Sequence, residues 1–543
     1  MKRGNREALR IVAACCALLL PAIAQADAPL EGGKLVIGVQ QEPDNLNPVF
    51  TSMSVTQDLL ILIGATPFDF DTKGTLYAKL AREVPSFENG GISHDELTYR
   101  IRFRSNAKWH DGTPMTSGDL KFTWNAIMEP NSASLTRQGW DRIASMDDSD
   151  PAVAVIRLRE PYGAFLTTFV NSGGGLLPKH VLEKSAALRN DPWNNQPMVN
   201  CGPYKFEKWV RGNYVSVVRN PDWCLGAPHI ERIIYEVIPN ENTLFTQLQT
   251  GEIGLWNAIQ NLHQLDAVAN IPNVTLYDFP MLGVEHLDLN LRHVPLQDVR
   301  VRRAIAHAIN KKEISETVYR GRYRPATGVR PPLSWDFTSH VAQYPFDLGK
   351  SRSLLDEAGW KLDGEVRWKT IDGKKTPLRL VLISTSGRPL RQQVENVLQQ
   401  ALKSIGIGLE IQELPASHLF ETGSGALPHG DFDLALYAWI PSADPSSVET
   451  SFMGKYIPPN GQNYLFYQSK DADRLLTAGG RAFDRKVRAE AYRKFQEVVA
   501  RDVPAIPLLY WQGFSAATVR LHGIRPNSSG SFYWNVNEWW MDK

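Results

Sequence analysis

Hydrophobic positions along the chain repeat with two periods, and the two alternate from near the N-terminus to the end. Lys34–Val39 is an apolar run behind Gly32-Gly33 and predicts a buried strand. Thr98–Phe103 places Tyr99, Ile101 and Phe103 on one side, and Val153–Leu158 alternates in the same way. Tyr204–Trp209 and Asn213–Val218 predict two strands around an Arg211-Gly212 turn. Helical spacing is clearest at Val301, Ala304, Ile305, Ala308 and Ile309, which predicts one helix over Val299–Ile314. Leu378–Ile383 reads as a strand, and Val394, Val397, Leu398, Ala401, Leu402 and Ile405 then stripe a helix that Gly406 ends. Gly408–Gln412 follows as the next strand, so this stretch is a βαβ unit with a parallel pair and a right-handed crossover. Asp433–Trp439 is a further apolar strand expected in the same sheet. A helix over Arg485–Ala500 leads into a last buried strand, Ile506–Trp511. The pattern predicts several α/β lobes rather than one barrel, with about 56–195 as a mixed α/β unit of its own.

Composition narrows the picture. The chain has 543 residues, 43% hydrophobic, 22% charged and 10% aromatic, which suits folded domains and excludes a disordered or fibrous chain. Its formal charge is +1, from 59 Lys+Arg against 58 Asp+Glu, so no broad basic field invites nucleic acid. Lys2, Arg3, Arg6 and Arg10 precede an apolar run from Ile11 to Ala24, and Ala24-Gln25-Ala26 has small–x–small spacing. Residues 1–26 are therefore expected to be a cleaved signal peptide, because the run is short of the ~20 residues that span a bilayer. Cys15 and Cys16 would leave with it, so an exported chain keeps Cys201 and Cys224. These two bracket the predicted hairpin, and in an oxidising compartment a disulfide between them is expected. Two separate buried thiols are the alternative.

Catalytic signatures are sparse. The sequence contains no G-x-S-x-G, H-E-x-x-H or G-x-G-x-x-G. Gly349-Lys350-Ser351 resembles the end of a phosphate loop, but Tyr344 stands where that loop needs glycine. Asp431 and Asp433 are read as solvated charges entering a strand, and His286-x-Asp288 is the one tight polar pairing, too little for a metal site. No cofactor and no metal are expected. The 15 Trp are the unusual feature, since an indole offers an apolar face with one N–H donor for gripping a ligand. Trp140, Trp439 and Trp511 sit at or near predicted element ends. Trp439 is the strongest candidate, because it closes a strand just before Pro441-Ser442-Ala443-Asp444-Pro445, where open parallel sheets bind ligands.

Several segments, taken in order, resemble the family 5 solute-binding proteins of ABC importers. They are Glu42-Pro43-x-x-Leu46-Asn47-Pro48, Trp109-His110-Asp111-Gly112-Thr113-Pro114 with Asp119, and Gly202-Pro203-Tyr204-Lys205-Phe206. Arg219-Asn220-Pro221-Asp222-Trp223, Asp298-Val-Arg-Val-Arg302-Arg-Ala-Ile, Leu354-Leu-x-x-Ala358-Gly359 and Trp439 leading to Asp444-Pro445 complete the set. The resemblance implies a periplasmic binding protein fold of class II-like type (cluster C): two α/β lobes joined by a hinge, plus an extra α/β subdomain. It maps lobe I to 27–55, 196–282 and 506–543, the extra subdomain to 56–195 and lobe II to 283–505. It implies a non-catalytic, monomeric periplasmic receptor that carries a peptide or peptide-like solute to an inner-membrane permease with its ATPase.

The resemblance also implies site residues. Thr51, Ser52 and Met53 would give backbone and hydroxyl contacts, and Tyr437, Trp439 and Trp511 apolar ones. Gln462 and Asn463, in the stretch Pro458–Tyr464, would edge the cleft, and Arg388 would receive a carboxylate. The sequence departs from the peptide binders where an aspartate three residues past the strand-ending Trp pairs with the ligand's α-amino group. That position is Ser442, and Asp444 is the nearest carboxylate, either a counter-ion or a turn residue before Pro445. The departure keeps a non-peptide solute open (a metal chelate, opine or oligosaccharide), and a secreted hydrolase is the remaining alternative.

Overall fold

Eleven strands form one mixed sheet that runs through both ends of the chain. In sequence order they are β1 (Lys34–Val39), β2 (Tyr204–Val210), β3 (Tyr214–Arg219), β4 (Arg232–Val237), β5 (Leu255–Trp256) and β6 (Val274–Leu289). Then come β7 (Arg324–Pro325), β8 (Arg379–Thr385), β9 (Gly408–Leu414), β10 (Leu434–Trp439) and β11 (Ala505–Thr518). Across the sheet the order is β9-β8-β10-β6-β11-β5-β1-β4-β3-β2, with β7 on β11. The computed structural model describes residues 29–51, 53–129, 134, 137–170, 175–421, 425–527 and 531–542. The expected leader at 1–26 and Ser52 lie outside the described residues.

The order holds two parallel groups, one at its β9 end and one lying inside the antiparallel strands β3 and β2. β1 lies parallel to β4 and β5, and β8 lies parallel to β9 and β10. The antiparallel pair β6 and β11 joins them. Val274–Pro280 pairs with Gln512–Thr518 beside β5, while Val284–Asp288 pairs with Ala505–Tyr510 and also with β10. The register shifts between Pro280 and Val284, so each strand belongs to one half of the sheet at one end and to the other half at the other. The sequence reading found only the start of β11 and none of β6.

The expected βαβ unit is present. Pro389–Ser404 is helical between β8 and β9, Arg388 at its N-cap and Gly406 just beyond it at φ +83. The helix expected over Val299–Ile314 stops at Ala308, because Ile309 turns to extended backbone. Asn310 then accepts a hydrogen bond from the Glu313 amide and starts a new turn.

Residues between β1 and β2 build a separate three-stranded sheet in which Val153–Leu158 is central, flanked by Thr98–Arg102 and Ile143–Asp150. Its core contains Phe68, Tyr99, Ile101, Trp140, Phe165 and Phe169. The helix Ser117–Met128 begins with a capping box, in which Asp119 accepts from the Thr116 amide and reaches the Lys179 amide. The neighbouring Trp109-His110 segment docks this insert on the first half: His110 N–H donates to the Asn200 carbonyl, and its ring lies 3.1 Å from the Gly202 carbonyl.

Cys201 and Cys224 are separate thiols, contrary to the expected bridge. The hairpin ladder ends at the Tyr204–Arg219 pair, and Cys224 lies beyond a further turn. Each sulfur is turned toward a different insert carbonyl, Ala65 for Cys201 and Lys79 for Cys224. Burial pushes the thiols up to about 12 and about 11 respectively.

Candidate binding cleft

The midpoint of β6 and β11, where the register shifts, is the seam between the two halves. Two aromatic rings lie across it, each over a glycine of the facing strand. A Cβ on Gly283 would stand 2.8 Å from Trp511 Cγ, and one on Gly513 would stand 2.6 Å from the Phe279 ring. Only glycine lets the indole and the phenyl ring lie this close to backbone. Trp511 remains half-buried, with its N–H donating to Glu285 Oε2 at 3.0 Å.

Glu285 is buried on β6 and receives Arg391 Nε at 2.7 Å. Burial acts to raise its carboxyl, but Arg391 and the Trp511 N–H outweigh that and hold it below the usual glutamate range. Arg391 also bonds the Thr385 hydroxyl at the C-terminal end of β8. One helical turn earlier, exposed Arg388 donates to Gln260 Oε1 at 2.9 Å. Gln260 belongs to the first half, so this bond spans the seam.

On the other side, Trp439 closes β10, with its indole stacked at 3.5 Å on the His286 imidazole and packed edge-on to Phe452. His286 Nε2 lies 3.1 Å from Asp288 Oδ1, and the Tyr437 hydroxyl donates to Asp288 Oδ2. His286 therefore backs a half-buried Trp439 and is bound within the protein.

Several expected site residues have other work. Trp140 is 1% exposed and packs edge-on to Phe169 inside the insert. Tyr437 is buried through its bond to Asp288. Asn463 ties together the backbone of Met453 and Tyr467. Thr51 is buried, with its hydroxyl donating to Asp44, and Met53 N–H donates to Thr51 Oγ1 at the start of the helix Ser54–Ile63. Ser442 donates to the Asp444 carbonyl, and the Gln462 amide donates to Thr450 O. Asp444 is the turn residue rather than a counter-ion. Arg488 clamps both its oxygens at 2.6 and 2.8 Å, and Asp444 Oδ1 also accepts from the Ser446 amide. Burial would raise its carboxyl, and Arg488 holds it below the usual aspartate range instead. Trp439, Trp511 and Arg388 thus stand at the seam.

Sequence reasoning missed Glu285, Arg391 and Gly283. Glu285, one of two carboxylates between Leu282 and Leu289, was the available signal, but its partner lies 106 residues away.

The insert also touches the second half. Arg142 reaches Glu160 at 2.9 Å and Glu449 at 3.3 Å, and Arg481 reaches Glu160 at 2.6 Å. Gly163 N–H donates to the Gly480 carbonyl at 2.8 Å, where a Cβ would collide with Ala482. Gln138 donates to the Ser446 carbonyl. Burial raises the Glu449 carboxyl to about 7, against the pull of Arg142 and Lys455.

Two α/β halves joined by a crossing strand pair, with an insert on the first, match a known arrangement. The family model described as "Bacterial extracellular solute-binding proteins, family 5 Middle" matches residues 76–460. The chain belongs to this family. Among family 5 relatives it is 26% identical to the oligopeptide-binding protein AppA of Bacillus subtilis over 522 residues, covering 95% of this chain and 93% of AppA. The solved structure of AppA in complex with a nonapeptide superposes with a TM-score of 0.82 at 25% identity, covering 95% of this chain and 100% of that one. The glutathione-binding protein GsiB of Salmonella typhi is 27% identical, covering 81% of this chain and 83% of GsiB. NikZ from Campylobacter jejuni in complex with Ni(L-His) gives a TM-score of 0.80 at 27% identity, covering 93% of this chain and 99% of that one. The expected family 5 architecture is therefore the observed one. Among the described residues no helix is long and apolar enough to cross a membrane, and no group of three or more His, Cys, Asp or Glu is placed to hold a metal ion.

Proposed function

We propose that this family 5 receptor captures a peptide or peptide-like solute at the seam and leaves it chemically unchanged. The carrying observation is the seam itself: two strands connect the halves, with Trp439 stacked on His286, Trp511 bonded to Glu285 and Arg388 reaching Gln260 of the other half. An apolar wall with a few placed polar groups suits a mixed solute such as a peptide. The solute would favour the closed arrangement, and an inner-membrane permease driven by its ATPase would read that state. Export under the 1–26 leader puts the receptor in the periplasm, where it works as a monomer. The lobes are 27–55, 196–282 and 506–543 for the first, 283–505 for the second and 56–195 for the insert. The register shift suggests moving the inner boundary of the last segment from 506 to about 511.

AppA and GsiB support the peptide reading by the ligands in their names. A pool of tri- to pentapeptides should raise the Tm of protein freed of bound solute; no shift from any peptide overturns the reading. A second reading, a non-peptide solute, is favoured by Ser442 at the amine-pairing position and by Asp444 being held by Arg488. Mass spectrometry of the solute that co-purifies distinguishes the two.

A further inference from the structure

We propose that Asp58, held in place by Asn257 on the first-half wall, is the anion that receives a positively charged group of the bound solute, an ammonium or a guanidinium. This rests on the solute-capturing reading above and names the charge that the solute carries. On the second-half wall the two nearby carboxylates are already taken, Glu285 by Arg391 and Asp444 by Arg488. Asp58 is different. It sits in the helix Ser54–Ile63, half-buried, and among the described residues its side-chain bond is the 3.0 Å contact from Asn257 Nδ2 to its Oδ2. Asn257 is fixed in turn by Ser515 of β11, whose hydroxyl donates to Asn257 Oδ1 and accepts from the Ala258 amide. Among the described residues no lysine, arginine or histidine faces the carboxylate, and its charge is felt by the buried Tyr235 and Tyr533.

Position points the same way. Asn257 directly follows β5, at the C-terminal edge of the parallel group β5-β1-β4, where open sheets bind ligands. Ser515 belongs to a crossing strand, and three residues past Asn257 lies Gln260, which Arg388 reaches from the other half. A solute held at the seam can place a cation against Asp58 and an anion toward Arg388. Burial raises the Asp58 carboxyl to about 7, opposed only by Asn257, so an arriving cation relieves an uncompensated charge.

The test is isothermal titration of the full protein, freed of bound solute, with four pools of tri- to pentapeptides. One carries only a free N-terminal ammonium, one is N-acetylated but contains Lys and Arg, one has both cations and one has neither. The wild type should bind at least one cation-bearing pool tenfold or more tightly than the cation-free pool, and the pool preferred names the source of the cation. Asp58→Asn should remove that preference, so that it binds the cation-bearing pools no more tightly than the cation-free pool. Equal binding of all four pools by the wild type, or an undiminished preference in Asp58→Asn, overturns this inference alone. Binding of no pool removes the peptide reading and this inference together.

Discussion

Arg142→Ala should weaken solute binding without touching the solute, because Arg142 ties the insert to Glu449 of the second half besides pairing with Glu160 of the insert itself. The insert is docked on the first half through His110 and Asn200, so opening of the seam is expected to separate Arg142 from Glu449. Removing one partner of a buried pair costs ~3–5 kcal/mol, since the remaining charge is stranded. Here the side chains of Arg142 and Glu449 are 11% and 2% exposed. Glu449 has an escape, however: its carboxyl already stands at about 7, and without Arg142 it takes up a proton near neutral pH. That trims the loss to about 2 kcal/mol, or roughly 30-fold in Kd, all of it borne by the closed form. At pH 8.5 the escape is less available, so the deficit should exceed that at pH 6.5. Adding Glu449→Gln should recover most of it, because a neutral amide leaves no stranded charge. Isothermal titration with the co-purified solute, at both pH values, reads both variants against the wild type. A Kd within twofold of wild type, or a double variant no better than Arg142→Ala, would refute the reasoning.

Further predictions follow from single contacts. In the folded protein the Glu449 carboxyl is raised, so the folded state holds a proton that the unfolded chain releases. Stability should fall as pH climbs from the ordinary glutamate value to about 7 and then level, and Glu449→Gln should flatten that slope in Tm-against-pH scans. Asp444 is depressed, so its contribution is present above the ordinary aspartate value and lost as pH falls through its lower folded value. Asp444→Ala should cost ~3–5 kcal/mol in urea unfolding by stranding Arg488; a loss under 1 kcal/mol would contradict the buried clamp. Gly283→Ala drives a methyl into Trp511 and should cost ~1–3 kcal/mol, read as a lower urea midpoint. An unchanged midpoint would mean that the indole does not lie on the backbone.

The local elements were readable because burial repeats along the chain with helical or strand spacing. β1, the βαβ unit from β8 to β9, and β10 follow directly from that spacing. The crossing strand β6 was not readable. Its first half, Val274–Pro280, is half-exposed and polar at Asp278, its second half is buried on both faces, and Pro280 and Gly283 interrupt the pattern. A strand that changes neighbours midway has no single period. At the seam, Trp439 and Trp511 stood out in sequence as aromatic residues at predicted element ends, and Arg388 only through the family resemblance. Trp140 looked the same in sequence but fills the insert core, since a tryptophan at the start of a 3-10 turn faces inward as readily as outward. The clamps on Glu285 and Asp444 come from arginines 106 and 44 residues away, distances over which spacing carries no information.

Small-angle X-ray scattering of the full protein, freed of solute and then titrated with the compound that co-purifies, tests most directly whether the halves close over a cargo. The radius of gyration should fall as binding saturates, and Arg142→Ala should need more solute for the same contraction. Saturated binding with an unchanged radius, or recovery of a covalently altered compound, would contradict the account.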